Sequence, residues 1–235
     1  MTRLSIPEIC DHPSIPDHVL DSVHGELTRI HQWLGNTGAI IAALRRHPAP
    51  VRRVLDVGCG RGGVLLAIQR ALGTEVIGMD IRVRPVSSLV PVIQADALRT
   101  PLPESDVAIS VCLAHHLSEN EIRELIRNAS RSCRRFLLLD LVRHRLPLLL
   151  FRAAVAPFVS RLTLLDGVHS IRRSYTPGEL RRIVRRALAG TTARYRHTVA
   201  PFYVRQMVDI VFDGGNTMLP GVTPWARQYS RYNLP

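Results

Sequence analysis

The sequence predicts an α/β fold with a doubly wound, mostly parallel sheet of seven strands, preceded by N-terminal helices. Short apolar runs alternate with amphipathic stretches from residue 51 onward, as expected where helices cross between parallel strands. The first such junction, VLDVGCGRGG at 54–63, joins an apolar run to a helix through a cluster of glycines. The last two apolar runs follow each other without a helix between them, which predicts a C-terminal antiparallel strand.

Each predicted element rests on its hydrophobic period and its boundary residues. The clearest helix has Thr176 as its N-cap and Pro177 in its first turn. The strands are short apolar runs that end at glycine, proline or acidic residues. Strands are expected at 51–58, 75–81, 91–97, 106–113, 135–142, 192–200 and 202–212, and helices at 16–47, 62–72, 119–133 and 176–188.

The chain divides by composition into three regions. Residues 1–50 are expected to form an N-terminal helical region and residues 51–212 the sheet domain, with a helical insert at about 144–170. Residues 213–235, rich in glycine, proline and polar residues, form a predicted tail. The most apolar stretch, 146–165, is interrupted by two arginines and two prolines, so no transmembrane span is expected.

Composition favours an ordinary globular protein, with 46% hydrophobic and 21% charged residues. The formal net charge of +12 would suit nucleic acid or an anionic membrane. Every basic residue other than histidine is arginine, however, which indicates a GC-rich genome and makes a nucleic-acid partner unlikely. The four cysteines form no CxxC pair, so neither a metal site nor a disulfide framework is expected, and a reducing cytoplasm is the predicted location.

The glycine cluster predicts a ligand that lies directly against the backbone. GCGRGG fits G-x-G-x-x-G through Gly58, Gly60 and Gly63, in a turn between the first strand and its helix. Such a turn presents amide groups and a helix N-terminus to the ligand. The pattern alone is weak, because a dinucleotide-binding protein would show it as well.

Three acids at strand ends narrow the ligand. Asp56 stands before the glycines, where a carboxylate would repel a pyrophosphate but suit an amino group. Asp80 ends the second strand, where an acid accepts hydrogen bonds from ribose hydroxyls. Asp96 follows the third strand, where a carboxylate can accept from an adenine amino group. An adenosine that carries an amino acid and no phosphate satisfies all three, which predicts S-adenosyl-L-methionine.

At this point the sequence resembles the class I S-adenosylmethionine-dependent methyltransferases, in the branch that includes the ubiquinone/menaquinone-biosynthesis type. The resemblance covers about residues 50–205 and rests on VLDVGCGRGG, VIGMDI, QADALRTPLPESDVAISVCLAHHL and RSCRRFLLLDLVRHRL. The segments HGELTRIHQWLG and DGVHSIRRSYTPGEL are similar to a group of bacterial small-molecule methyltransferases often tied to polyketide-type metabolites. The resemblance implies a Rossmann-like fold and transfer of a methyl group to oxygen or carbon of a small, hydrophobic or aromatic acceptor.

The resemblance also implies roles for individual residues. The glycine turn and Asp56 would hold the methionine end of the cofactor, Asp80 the ribose, and Asp96 with Ala97 the adenine. The implied cofactor residues are Asp56, Gly58, Gly60, Asp80, Ile81, Asp96, Ala97 and Ser110.

Acceptor residues are harder to predict, because a sulfonium is already an activated methyl donor and needs mainly alignment. His115 and His116 follow the fourth strand; one of them could act as a base, or both could only shape the site. The insert and the N-terminal helices are expected to form an apolar lid over the acceptor. A core helix, or a helix resting on a membrane, are the alternatives. The candidate acceptor residues are Trp33, His116, Arg143, Phe151, His169, Arg173 and Tyr175.

Two other function classes stay open. Net charge favours a nucleic-acid methyltransferase, but VCLAHHL stands where such enzymes often have an Asn/Asp-Pro-Pro-aromatic element. A binding domain without chemistry would keep the glycine turn, yet it would not need all three acids. The chain is expected to be a monomer or homodimer, with peripheral membrane contact as an alternative.

Overall fold

The computed structural model describes residues 1–12, 14–82 and 88–212, and it contains one seven-stranded sheet. The predicted tail, 213–235, lies outside these residues. The strands are β1 (Arg53–Val57), β2 (Glu75–Asp80), β3 (Val92–Gln94), β4 (Ser105–Val111), β5 (Cys133–Asp140), β6 (Arg194–Val199) and β7 (Gln206–Val211). Their order in the sheet is β3-β2-β1-β4-β5-β7-β6. The first three strands are added toward one edge and the next ones toward the other, so the order of strands reverses between β1 and β4.

Strand directions confirm the predicted mostly parallel sheet with a C-terminal antiparallel strand. The first five strands pair in parallel, whereas β7 runs antiparallel to both β5 and β6. A buried ion pair joins β7 to its neighbour, because the Arg135 guanidinium donates to both carboxylate oxygens of Asp209, at 2.8 and 2.7 Å. The same guanidinium donates to the Ala43 carbonyl and so ties the N-terminal helices to the sheet.

Helices cover both faces of the sheet, as a doubly wound fold requires. One apolar layer lies under α2 and α3, and the other lies under α4 and α7. The helix predicted at 16–47 is two helices, because Gly35 adopts a left-handed φ of 69° between them. The helices are α1 (Asp17–Trp33), α2 (Asn36–Arg45), α3 (Gly63–Leu72), α4 (Glu119–Ser132), α5 (Arg145–Leu150), α6 (Arg161–Arg173) and α7 (Pro177–Ala187).

The predicted insert is helical and packs on the N-terminal region. It comprises α5, a π-helical turn at Phe151–Val155, a short 3-10 turn and α6. Phe151 and Val155 bury their side chains against Ile30 of α1 in a small apolar cluster separate from the sheet layers. This cluster places α1 and the insert together, beyond the carboxyl end of β5.

Two capping boxes fix helices beside the sheet. Ser118 accepts from the Glu121 amide and the Glu121 carboxylate accepts from the Ser118 amide, which starts α4 directly after the β4 loop. Thr176 and Glu179 make the same arrangement at α7, which confirms the predicted cap. Each box satisfies amides that a helix N-terminus otherwise leaves unpaired.

Candidate active site

A cavity of about 1430 Å³ lies at the carboxyl ends of the parallel strands, where the sheet order reverses. This is the place at which open α/β sheets bind ligands. The β1 and β2 ends form one wall, and the β4 loop, α1 and the insert form the rest. The cavity contains seven of the eight predicted cofactor residues: Asp56, Gly58, Gly60, Asp80, Ile81, Asp96 and Ala97.

The glycine turn is held tightly by its neighbours. Gly58 and Gly60 adopt positive φ angles of 73° and 53°, which favour glycine. The Gly58 amide donates to the Met79 carbonyl at 2.8 Å, and the Gly60 amide donates to Asp80 Oδ2 at 2.9 Å. Among the described residues, nothing beyond the immediate neighbours of Gly60 lies within 4 Å of the position that its Cβ would take, so the turn exposes bare backbone.

Asp56 is buried with one carboxylate oxygen unsatisfied. Its relative exposure is 1%, and Oδ1 has no hydrogen-bond partner among the described residues. Burial, followed by the negative charge of Asp80, raises the pKa of Asp56 well above its usual value. A buried acid of this kind needs a donor, and the amino group of a bound amino acid would supply one.

The adenosine end of the site is built around Asp80 and Asp96. The second Asp80 oxygen accepts from the Arg82 amide at 2.9 Å, so the carboxylate is held at the end of β2. Asp96 accepts from the Leu98 amide, and the Asn128 side chain donates to the Ala97 carbonyl at 2.7 Å. These bonds fix both residues of the predicted adenine contact.

Two residues near the predicted cofactor site, Ser110 and Arg61, are placed where they would not be expected to contact the ligand. Ser110, the eighth predicted cofactor residue, is buried within β4 and does not line the cavity. Arg61 lies in the cavity wall, but its guanidinium reaches Asp21 of α1 at 3.3 Å. This ion pair draws the cation toward α1.

The polar part of the wall centres on His115, whose ring is buried in the turn after β4. Its Nδ1 lies 2.7 Å from Asp140 Oδ1, and its backbone amide donates to Asp140 Oδ2 at 2.7 Å. Burial lowers the pKa of His115, but the carboxylates of Asp140 and Glu8 outweigh it and raise the pKa to about 10. The imidazole therefore carries a positive charge at neutral pH when no other cation is bound.

Glu8 reaches this wall from the N-terminal arm, residues 1–12. Its Oε1 lies 3.4 Å from His115 Nε2 and 3.8 Å from His116 Nε2. Burial raises the pKa of Glu8, but the hydrogen bond and charge of His115 and the charge of His116 lower it more. The carboxylate is therefore ionised.

Several contacts anchor the arm. The Arg3 guanidinium donates to the carbonyls of Arg173, His115 and Leu117 and stacks over the Tyr175 ring at 4.0 Å. Farther along, the amides of residues 9 and 10 donate to the Asp166 carboxylate. The arm is thus a fixed part of the wall.

The sequence alone did not single out three residues of this wall, Glu8, His31 and Asp140. Asp140 ends an apolar run, the same signal that identified Asp56, and could have been found that way. Glu8 and His31 lie in segments whose pattern indicates only a loop and an amphipathic helix. Burial, followed by the charge of His115, lowers the pKa of His31 to about 4, so this ring is neutral.

The acceptor side of the cavity is mostly apolar, and fewer of the predicted acceptor residues line it than the sequence indicates. His116, Phe151 and Arg173 line it, together with apolar side chains of α1 and the insert. The other four predicted acceptor residues lie outside the wall, which corrects the prediction: Trp33, Arg143, His169 and Tyr175.

Three of these residues make contacts elsewhere, and the fourth, His169, lies outside the cavity wall. Trp33 is 58% exposed and packs edge-on against Phe158 on the outer surface. The buried Arg143 guanidinium donates to the Ser174 carbonyl and to Glu179. Tyr175 is buried and donates to the Leu117 carbonyl. His169 is half-buried on α6, away from the cavity.

Comparison with known proteins identifies the domain that holds the cofactor residues. Residues 54–135, from β1 into β5, match the profile of a family described as a methyltransferase domain. No match was found among curated proteins. The matched residues include the glycine turn, all three strand-end acids and both histidines after β4.

Solved structures of methyltransferases share the fold. The plantazolicin methyltransferase BpumL, in complex with S-adenosylhomocysteine (SAH), is 14% identical with a TM-score of 0.64, and the match covers 85% of this chain and 92% of that one. Human N-acetylserotonin methyltransferase, in complex with S-adenosylmethionine, is 14% identical with a TM-score of 0.58 over 83% of this chain, which spans only 56% of that protein. Magnesium protoporphyrin IX methyltransferase from Synechocystis PCC 6803 is 16% identical with a TM-score of 0.51 over 86% of this chain and 90% of that one.

The fold and the site together define a class I S-adenosylmethionine-dependent enzyme. Residues 54–135 match a methyltransferase domain, and the fold around them is shared with S-adenosylmethionine-dependent methyltransferases of known structure. Three features of the site suit that cofactor. The unsatisfied Asp56 oxygen suits its ammonium group, the exposed backbone of Gly60 suits its methionine chain, and the Asp80 carboxylate suits its ribose. Within the described part of the chain, no helix is both long and apolar enough to span a membrane.

Proposed function

We propose that the protein transfers a methyl group from S-adenosylmethionine to oxygen or carbon of a small, hydrophobic acceptor that carries an ionisable group. The observation that carries the proposal is the composition of the acceptor chamber. Apolar side chains of α1 and the insert form much of its wall, and a compact polar cluster of Glu8, His115 and His116 lies among them. An apolar pocket with a few convergent polar groups suits a small organic molecule.

The cluster gives the acceptor its orientation in this proposal. S-adenosylmethionine supplies an activated methyl group, so the protein must align an electron-rich acceptor atom with it and exclude water. An oxygen or carbon nucleophile is most reactive once its proton has left, and the ionised Glu8 carboxylate with His116 beside it is the part of the wall that can take the proton. The predicted catalytic roles of His115 and His116 belong to this proposal.

Two observations favour a small acceptor over a nucleic acid. The N-terminal arm, α1 and the insert all contribute to the wall of the chamber, which favours a small molecule over a polynucleotide in an open groove. Only three of the described arginines line the cavity, Arg61, Arg82 and Arg173, so the net positive charge is not concentrated there. A row of four arginines lies instead along α7, at 181, 182, 185 and 186, around a separate depression.

Related proteins support the substrate class without identifying the substrate. The structural neighbours described above are named for acceptors that include plantazolicin, N-acetylserotonin and magnesium protoporphyrin IX. We infer by analogy an aromatic or polyketide-like metabolite for this chain. We also infer a cytoplasmic enzyme, monomeric or dimeric, because all four cysteines are free thiols.

The proposal is tested by incubating the protein with methyl-labelled S-adenosylmethionine and a panel of phenols, enols and polyketide-like compounds. Mass spectrometry is expected to detect a labelled small molecule whose formation depends on Asp80. Labelling of DNA or RNA with none of the small molecules would contradict the proposal.

A further inference from the structure

We propose that Glu8, His115 and His116 bind a divalent transition-metal cation in the wall of the acceptor chamber. One ligating atom from each residue lies within 4.8 Å of the other two, and both Glu8 and His115 are buried. Two imidazoles and one carboxylate are a ligand set that holds Zn²⁺ or Fe²⁺ and leaves positions for a substrate. Because His116 and Glu8 both line the cavity, the remaining positions would face the acceptor.

The distances from Glu8 to the two histidines are longer than an ideal charge-assisted hydrogen bond, and they also match the separation of two ligands on one metal ion. Charge-assisted hydrogen bonds between nitrogen and oxygen are about 2.7–2.9 Å long. Glu8 Oε1 lies 3.4 Å from His115 Nε2 and 3.8 Å from His116 Nε2. Metal–ligand bonds of about 2.1 Å at tetrahedral angles would separate two ligand atoms by roughly 3.4 Å.

Asp140 provides a second, independent observation. Histidines that bind metals usually donate their other ring N–H to a carboxylate or carbonyl, which fixes the tautomer and the ring plane. Asp140 Oδ1 lies 2.7 Å from His115 Nδ1, and Asp140 Oδ2 accepts from the His115 amide. This leaves Nε2 directed at Glu8 with its lone pair available to a cation.

The charges of the cluster also favour a cation. Two buried carboxylates, Glu8 and Asp140, face opposite nitrogens of one imidazole ring. Buried charge without a partner is costly, so a cation held beside these carboxylates would be stabilised.

The test measures metal binding by untagged, chelator-treated full-length protein at about pH 8, because metal binding displaces a proton from imidazole and is favoured as the pH rises. Co²⁺ is titrated while visible absorption and heat are recorded. We expect about one Co²⁺ per chain with ligand-field bands, displaced by Zn²⁺. Glu8→Gln and His116→Ala are each expected to weaken Co²⁺ binding by at least about 10- to 100-fold.

The matched control is His144→Ala, because His144 lies on the surface, stacked on Tyr203, and should not affect binding. Thermal unfolding checks that each variant folds. If Glu8→Gln does not fold, the His116→Ala variant alone provides the test, because His116 is more exposed. Absence of both bands and heat up to about 1 mM Co²⁺, or binding that Glu8→Gln and His116→Ala leave intact, would overturn the proposal. Because no cofactor or acceptor is added, methyl transfer without metal binding would overturn this inference and leave the proposed function standing.

Discussion

Asp56 and Asp80 face one cavity from neighbouring strands, but their surroundings give them different tasks. Asp56 has an unsatisfied oxygen and a raised pKa, whereas Asp80 is held by two backbone amides. The first is therefore suited to pair with a cationic group that arrives with the ligand. The second keeps the glycine turn in place, and its carboxylate is the group that we propose accepts hydrogen bonds from the ribose.

Cofactor binding is expected to release a proton from Asp56. Burial and then the Asp80 charge raise the pKa of Asp56, which keeps part of the Asp56 population neutral in the free protein. The other titratable groups nearby are Asp80 and the thiols of Cys59 and Cys112. A bound ammonium favours the ionised carboxylate, so the affinity for SAH should rise with pH until the ligand's own amino group deprotonates. Calorimetry in buffers of different ionisation enthalpy measures this release.

Asp56→Asn provides the control, since an amide cannot titrate. The variant is expected to bind SAH more weakly and without the proton release assigned to Asp56. Unchanged proton release in Asp56→Asn would show that another group titrates.

Replacing Asp80 with alanine is expected to weaken S-adenosylmethionine binding by about 1–3 kcal/mol, because hydrogen bonds to a charged acceptor are lost. Glu75→Ala is the matched control: Glu75 is an acid at the opposite end of β2, paired with Arg53 at the surface. Its affinity should equal that of the wild type. Equal calorimetric affinities for the two variants would place the ribose elsewhere.

The insert shows how two phenylalanines of one segment differ in role. Phe151 is buried against Ile30 and lines the cavity, whereas Phe158 is 64% exposed and packs on Trp33. The predicted lid over the acceptor therefore rests on Phe151 and its neighbours. The Trp33–Phe158 pair covers the outside of the same junction.

Phe151→Ala is expected to raise the KM for the acceptor found in the labelling screen by about tenfold or more, because a large apolar contact is removed. The dissociation constant for S-adenosylmethionine should stay within about twofold, since the cofactor end is formed by other elements. Phe158→Ala should leave both constants unchanged.

Joint loss of cofactor affinity, acceptor affinity and thermal stability in Phe151→Ala would instead make the segment part of the core. The membrane alternative is tested with anionic vesicles and the same variants. If the wild type sediments with the vesicles and Phe158→Ala does not, the exposed pair is a membrane contact.

Over the whole molecule, local patterns predicted the sheet better than they predicted the acceptor site. The strands and the acids at their ends could be predicted, because a short apolar run that ends on an acid is typical of a buried parallel strand whose carboxyl end faces the ligand site. Glu8 reaches His115 only through the fold of the N-terminal arm, and nothing in the spacing of the residues encodes that contact. Trp33 illustrates the opposite error, because its helical position did not reveal which side of α1 faces the cavity.

Charge is distributed unevenly over the molecule, between the arginines of α7 and the acids of the cavity wall. Positive charge on α7 lies far from the matched cofactor residues in sequence and outside the cavity wall. The cavity wall holds seven acidic residues and three arginines, and four of the acids lie at or after strand ends and in the N-terminal arm. A cationic cofactor and an acceptor held by a compact polar cluster are consistent with this arrangement.

Calorimetric titration of the wild-type protein with S-adenosylmethionine, SAH and NAD tests the central claim most directly. The account predicts binding of both adenosyl amino acids at about one site per chain and no heat from NAD, whose pyrophosphate Asp56 would repel. Binding of NAD with no response to SAH would contradict it.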